Sequence, residues 1–192
     1  MAADQRGRGC TMNRGAWFIA ACLAALLTHA AFAATSPGVG DAPVAIDRFG
    51  EDQNDVPIRL DALHGQVVVL TFWASWCGPC LEEMTTLSKL AKIPAVQGRL
   101  SVVAMNFHED RSRYWRINRA LASLPIHLGW ASTSLSRQYG VKALPNMFII
   151  GKDGRIAAHH VGYSSDGIDA FVDEINQLLN APDPADAATA GT

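Results

Sequence analysis

Cys77 and Cys80 stand two residues apart in Trp76-Cys77-Gly78-Pro79-Cys80, a spacing at which a disulfide can close and open without displacing the backbone. The chemistry open to such a pair is thiol–disulfide exchange, in which a thiolate attacks a disulfide sulfur and a second thiol resolves the mixed disulfide. Two other uses of the motif compete with it. Zinc would need a second C-x-x-C or an H-x-x-x-H pair to complete four ligands, and none follows in the chain. A purely structural disulfide would close a loop too short to stabilise a fold much through chain entropy. Redox exchange is the reading that remains.

Exchange needs a stabilised thiolate, and the flanking residues provide for one. Val67-Val68-Val69-Leu70-Thr71-Phe72-Trp73 is β-branched and aromatic and too short for a helix, so it predicts a strand buried on both faces. Leu81, Met84, Leu87, Leu90 and Ala91 then recur at helical spacing, with Glu82, Glu83, Ser88 and Lys89 between them. The cysteines fall at the N-terminus of that helix, where unpaired N–H groups and the helix dipole favour a thiolate.

Farther along, Val44–Phe49 and Pro57–Leu60 predict weak short strands, and 60–65 a turn into the Val67 strand. Leu100–Phe107 predicts a second buried strand, and Arg111–Ser123 a helix carrying Tyr114, Ile117 and Leu121. Ile126–Trp130 fits a short strand and Leu135–Tyr139 a short helix. Met147–Ile150 and Arg155–Val161 predict a hairpin around Asp153-Gly154. A last amphipathic helix, Asp166–Leu179, presents Ile168, Phe171, Val172, Ile175 and Leu178. Strands alternating with helices imply an α/β domain with a mixed sheet and helices on both faces.

The segment 72–80, Phe-Trp-Ala-Ser-Trp-Cys-Gly-Pro-Cys, resembles the active-site signature of the TlpA/ResA-like family of periplasmic thioredoxin-fold thiol:disulfide oxidoreductases. Residues 139–156 resemble that family's cis-proline loop and following hairpin, and the resemblance extends over about residues 38–180. It implies a thioredoxin fold with a central β-α insertion. It also implies that Cys77 is the attacking thiol and Cys80 the resolving one, that Pro145 is cis, and that the backbone of Leu144 pairs with a substrate peptide. Gly78 lets that peptide approach, and Pro79 fixes φ in the first helical turn, where a missing N–H costs little. Trp76 is expected to be a partly exposed platform for the client, with Trp73 packed beneath it. Thioredoxins commonly place a buried acid where this chain has Thr71, which cannot act as a base, so Glu83, one turn after Cys80, is the candidate proton acceptor. The rival reading of Glu83 is an exposed helix glutamate beside Glu82. Thr85 also departs from the family, which usually has a helix-bending proline there.

The Gly78-Pro79 pair resembles reducing thioredoxins more than strong oxidants, which implies reduction of client disulfides by a protein needing no cofactor beyond its Cys77–Cys80 disulfide. Candidate clients are apocytochrome c and cuproproteins, candidate electron donors are membrane dithiol carriers, and the process would be cytochrome c biogenesis. The place in the cell would be the periplasm or another exported location, free or anchored in the membrane by the N-terminus. A monomer is expected. Two rivals are a Cu(I)-delivery protein using Cys77, Cys80 and a distant histidine, and a disulfide-donating oxidase. Adjacent His159 and His160 on one strand face opposite sides and cannot jointly hold a metal, and His64, His108 and His127 are singletons. Trp115 and Trp130 read as packing residues.

In 192 residues with 49% hydrophobic content there is room for one domain of about 140 residues plus its ends. Lys+Arg 16 against Asp+Glu 18 leaves no basic excess, so nucleic acid is not implied as a partner. Arg14, an apolar run from Ala16 to Leu27, and Ala31-Phe32-Ala33 read as an export signal over 1–33, cleaved near Ala33. An uncleaved membrane anchor is the alternative, and a lipoprotein site at Cys22 is a third, weakened by the apolar run continuing past it. With Cys10 and Cys22 in that segment, the exported domain keeps one dithiol. Residues 34–41 read as a tether, 42–180 as the thioredoxin-like domain, and 181–192 as a disordered tail.

Overall fold

The computed structural model describes residues 36–183 except 53, 165 and 166. Residues 1–33, read above as an export signal with cleavage near Ala33, together with Cys10 and Cys22, the start of the expected tether and the residues beyond 183, lie outside the described residues.

Val67–Trp73 forms β3, every residue of it buried. It pairs in parallel with β4 (Leu100–Asn106) on one side and antiparallel with β6 (Asn146–Ile150) on the other. With β1 (Gly50–Glu51), β2 (Pro57–Ile58), β5 (His127–Trp130) and β7 (Ile156–Val161) these make a seven-stranded mixed sheet in the order β2-β1-β5-β4-β3-β6-β7. The helices are α1 (Gly78–Ala91), α2 (Arg111–Leu121), α3 (Thr133–Gln138) and α4 (Ile168–Asn180).

Alternation along the strands splits the core between the two faces. On one face Val67, Val69, Met147 and Ile149 meet Leu87 and Leu90 of α1 and Phe171, Ile175 and Leu179 of α4, and beside them Trp73 and Ala104 meet Met84 and Tyr114 of α2. On the other, Leu70, Phe72, Val103 and Phe148 pack on Leu135 of α3 and on Phe49 and Tyr139. This is the thioredoxin layout with helices on both faces. Between β4 and the β6–β7 hairpin the chain makes one more strand and helix, β5 and α3, than a simple strand–helix–strand–helix–hairpin–helix order requires, which is the expected insertion.

Two expected elements differ. Val44–Phe49 is not a strand: Ala45 takes φ 55°, and the Tyr139 hydroxyl both accepts from the Val44 N–H and donates to its carbonyl at 3.0 Å. Those contacts turn the chain so that Phe49 is inserted into the core, and pairing starts only at Gly50. The second strand stops at Ile58 because the Leu60 N–H bonds to the Ile46 carbonyl instead of a ladder partner. In α4 the expected face packs on the core, Phe171 and Ile175 buried and Ile168, Val172 and Leu178 partly so, and Leu179 joins it as a buried residue. The hairpin turns at Asp153-Gly154 as expected, with Gly154 at φ 76°. Ahead of the domain, the Gly40 N–H and Asp41 carbonyl bond to Ile156, so that end of the tether segment lies against β7.

Candidate active site

At the C-terminal end of β3 the chain leaves the sheet through Ala74-Ser75-Trp76 and enters α1 at Cys77, the N-cap residue. Cys77 Sγ accepts the Cys80 N–H at 3.2 Å, so the sulfur sits where the helix leaves donors unpaired. The two cysteines form a disulfide with S–S 2.02 Å and Cα–Cα 5.3 Å. Cys77 retains 6% exposure and Cys80 none, which orders the sulfurs from the surface inward. Pro79 lies in the first turn, and a Cβ added at Gly78 would meet open space, so nothing in the chain itself closes the approach to the disulfide there. Trp76 is 64% exposed beside the buried Cys77, whereas Trp73 is fully buried.

The Leu144–Pro145 bond is cis. Asn146 pairs with Phe72, and continuing that register sets Pro145 opposite Trp73 and Leu144 beside Ala74, at the same end of the sheet as the disulfide. Leu144 packs against the cluster that holds Cys77, Cys80 and Trp73. Trp76, Gly78 and Pro79 thus flank Cys77 along the chain, and Leu144 and Pro145 lie at the same end of the sheet, Leu144 packed on the cysteine cluster.

Glu83 is buried at 1% exposure while its neighbour Glu82 is exposed, so it is not the solvated helix glutamate of the rival reading. Its Oε1 accepts the Thr71 hydroxyl at 2.6 Å. Burial pushes its carboxyl up to about 7, and the Thr71 hydrogen bond only partly offsets this. A carboxyl poised there, one turn after Cys80, can take and return a proton near neutral pH. The helix runs from Gly78 to Ala91 with Thr85 in place of a proline, its hydroxyl donating to the Leu81 carbonyl.

A second buried carboxylate, Glu109, was not foreseen from the sequence. It lies between β4 and α2, and its Oε2 accepts the Ser75 N–H at 2.8 Å and Asn106 Nδ2 at 2.7 Å. Its Oε1 accepts the Ser75 hydroxyl and faces Arg113 Nε at 3.0 Å. Burial raises its pKa, but the hydrogen bonds from Asn106 and Ser75 and the Arg113 charge outweigh that and hold it below the usual range. Glu109 is therefore an anion that ties the turn before Cys77 to the adjacent loop. Its partners are distant in sequence, so no local pattern marks it.

Trp115 and Trp130 pack, partly buried, against the cluster that holds Trp73 and the two cysteines, as packing residues should. Trp115 and Trp130 each lie beside the Arg111 guanidinium at under 6 Å. His159 stacks on Phe148 and pairs with Asn146, while His160, on the opposite face, pairs with Glu174. Among the described residues no group of three or more His, Cys, Asp or Glu side chains is placed to hold a metal.

Residues 39–179 match the Redoxin family. The thiol-disulfide oxidoreductase ResA of Halalkalibacterium halodurans is 30% identical over 136 residues, which cover 70% of this chain and 74% of that protein. The thiol:disulfide interchange protein CycY of Rhizobium leguminosarum bv. viciae is 28% identical over 136 residues, covering 66% and 71%. A crystal structure from Chlorobium tepidum, described as a thiol:disulfide interchange protein DsbE, superposes with TM-score 0.63 at 27% identity over 76% of this chain and all of the other. The chain belongs to the Redoxin family, in its TlpA/ResA-like thioredoxin-fold branch.

Proposed function

We propose that this Redoxin-family chain is an exported thiol:disulfide oxidoreductase that works mainly as a reductase of client-protein disulfides. One observation carries the reading. The Cys77–Cys80 disulfide caps a helix next to exposed Trp76, at the end of the sheet where the cis Leu144–Pro145 bond lies and Leu144 packs on the cysteine cluster. The names of the ResA, CycY and DsbE relatives support thiol–disulfide chemistry for this site.

In the reductive direction Cys77 attacks the client disulfide as a thiolate stabilised by the helix N-terminus, and Cys80 displaces the client from the mixed disulfide. Glu83 accepts the Cys80 proton. Leu144 offers its backbone to an extended client strand, and Trp76 gives an apolar surface beside the attacked bond. The direction of electron flow rests on Gly78-Pro79. Export rests on residues 1–33, and it leads to electrons from a membrane dithiol carrier and to clients such as apocytochrome c or cuproproteins.

Equilibration of the domain with glutathione buffers measures the direction. A potential on the order of −250 mV, near thioredoxin, is expected; one above about −150 mV assigns the protein as a disulfide-donating oxidase. Tight stoichiometric Cu(I) binding without exchange activity assigns it as a copper carrier.

A further inference from the structure

Glu83 forms part of the wall of an open cleft of about 430 Å³, whose other walls include Met147, His160, Tyr163, Ser164 and Phe171. None of Trp76, Cys77, Gly78, Pro79, Leu144 or Pro145 lines it. The strand register explains how the cleft reaches the buried carboxyl. Thr71 is paired with Met147, and Met147 with His160, so the three side chains form one row on the same face of β3, β6 and β7. Thr71, at the inner end, hydrogen-bonds Glu83. His160, about 10 Å away across two strand spacings, stands at the outer end with Nε2 2.6 Å from Glu174 Oε2. The cleft has room for several waters between them.

The resolving step creates a need for such a passage. A client docked over Trp76 and Leu144 covers both sulfurs, so a proton removed from Cys80 has no direct way to solvent on that side. We propose that the cleft is the proton route of the resolving step, carrying the proton that Glu83 takes from Cys80 through water to the His160–Glu174 pair and out on the flank the client leaves open. This rests on the reading of Glu83 as the base.

The step balances. Cys80 gives its proton to the Glu83 carboxylate, and its sulfur attacks Cys77 Sγ of the mixed disulfide. The Cys77–client S–S bond breaks, the Cys77–Cys80 bond forms, and the client sulfur leaves as a thiolate that takes a proton from water. The dithiol loses two electrons and the client disulfide gains them.

The titratable groups facing Glu83 are few. Cys80 precedes it on α1, where Glu82 turns to solvent. Thr71 faces it from β3, His160 from β7 and Tyr163 from the following loop, where the Tyr163 hydroxyl is 3.0 Å from Thr86 Oγ1. From α4, Glu174 reaches it only through His160, beside apolar Phe171. His160 touches no reacting sulfur and acts only through Glu83.

Stopped-flow mixing of the reduced protein with oxidised insulin, read by tryptophan fluorescence, separates the second-order attack from the first-order release at saturation. In dilute buffer His160→Ala and Ser164→Trp are expected to slow release about tenfold, less than the roughly 10²–10⁴-fold of a group that itself moves the reacting proton, because both act only through Glu83, with attack unchanged. Added imidazole is expected to restore His160→Ala but not Glu83→Gln. Wild-type release in both cleft variants beside slow release in Glu83→Gln overturns the route and leaves Glu83 as the base. Wild-type release in Glu83→Gln overturns the reading of Glu83 and the route with it. Equal slowing of attack and release in His160→Ala, without rescue by imidazole, reports lost packing and also overturns the route.

Discussion

Glu83 gives up its water on burial and receives one hydrogen bond, from Thr71, whereas Glu109 is buried with two donors on Oε2, the Ser75 hydroxyl on Oε1 and a guanidinium beside it. The same functional group is therefore pushed up in one place and held down in the other. For Glu83 the consequence reaches stability. Its carboxyl rises from 4.5 to about 7 in the folded protein, so the fold prefers the neutral acid. That preference stabilises the protein fully below the unfolded pKa and is lost as pH rises through the folded one, a loss on the order of 3 kcal/mol. Glu83→Gln keeps a neutral group at all pH values and is expected to gain on the wild type between about pH 4.5 and 7, levelling off above. Urea unfolding of both proteins at three pH values across that window checks this; parallel stability curves would show that Glu83 does not titrate in the fold as described. The sequence nominates Glu83 because the resemblance to thioredoxins implies an acid near Cys80 and helical spacing sets Glu83 one turn after it. Its burial and its hydrogen bond depend on how α1 sits against β3, which spacing alone does not specify.

At the scale of elements, the dithiol is positioned by a join between two loops. Ser75 precedes the motif, Asn106 ends β4 and Glu109 opens the next loop, so one carboxylate clamps the exits of two adjacent parallel strands. Ala at 109 removes the acceptor of both the Ser75 N–H and Asn106 Nδ2. Glu109→Ala is therefore expected to cost about 1–3 kcal/mol, the penalty of leaving buried donors unpaired. The corresponding fall in Tm, about 2–4 °C per kcal/mol for a domain of this size, is read in a thermal melt. Arg113→Ala serves as the comparison: its half-exposed side chain predicts a change below about 1 kcal/mol. Equal losses in the two variants would place the stabilisation in the ion pair and not in the clamp. The strand and helix around Cys77 were legible because their periodicity is local. The Glu109 clamp and the turn at Val44 were not, because Ser75, Asn106 and Tyr139 meet their partners only after the sheet is assembled.

At the scale of the molecule, the domain places Cys80, Glu83 and the exposed Trp76 toward one end of a sheet whose two faces are both packed. The proposed place of work depends on residues 1–33, and N-terminal sequencing of the exported protein is expected to find processing near Ala33. A start at Cys22, or an intact apolar segment held in the membrane, would make it a tethered protein. The exchange mechanism depends on the order of the two sulfurs, and trapping tests it most directly. Cys80→Ser and Cys77→Ser variants are incubated with extracts containing exported proteins and run on non-reducing gels. Attack by Cys77 with release by Cys80 predicts that Cys80→Ser accumulates disulfide-linked clients that reductant dissolves, while Cys77→Ser captures none. Capture by Cys77→Ser and not by Cys80→Ser would contradict the assignment of the attacking and resolving thiols.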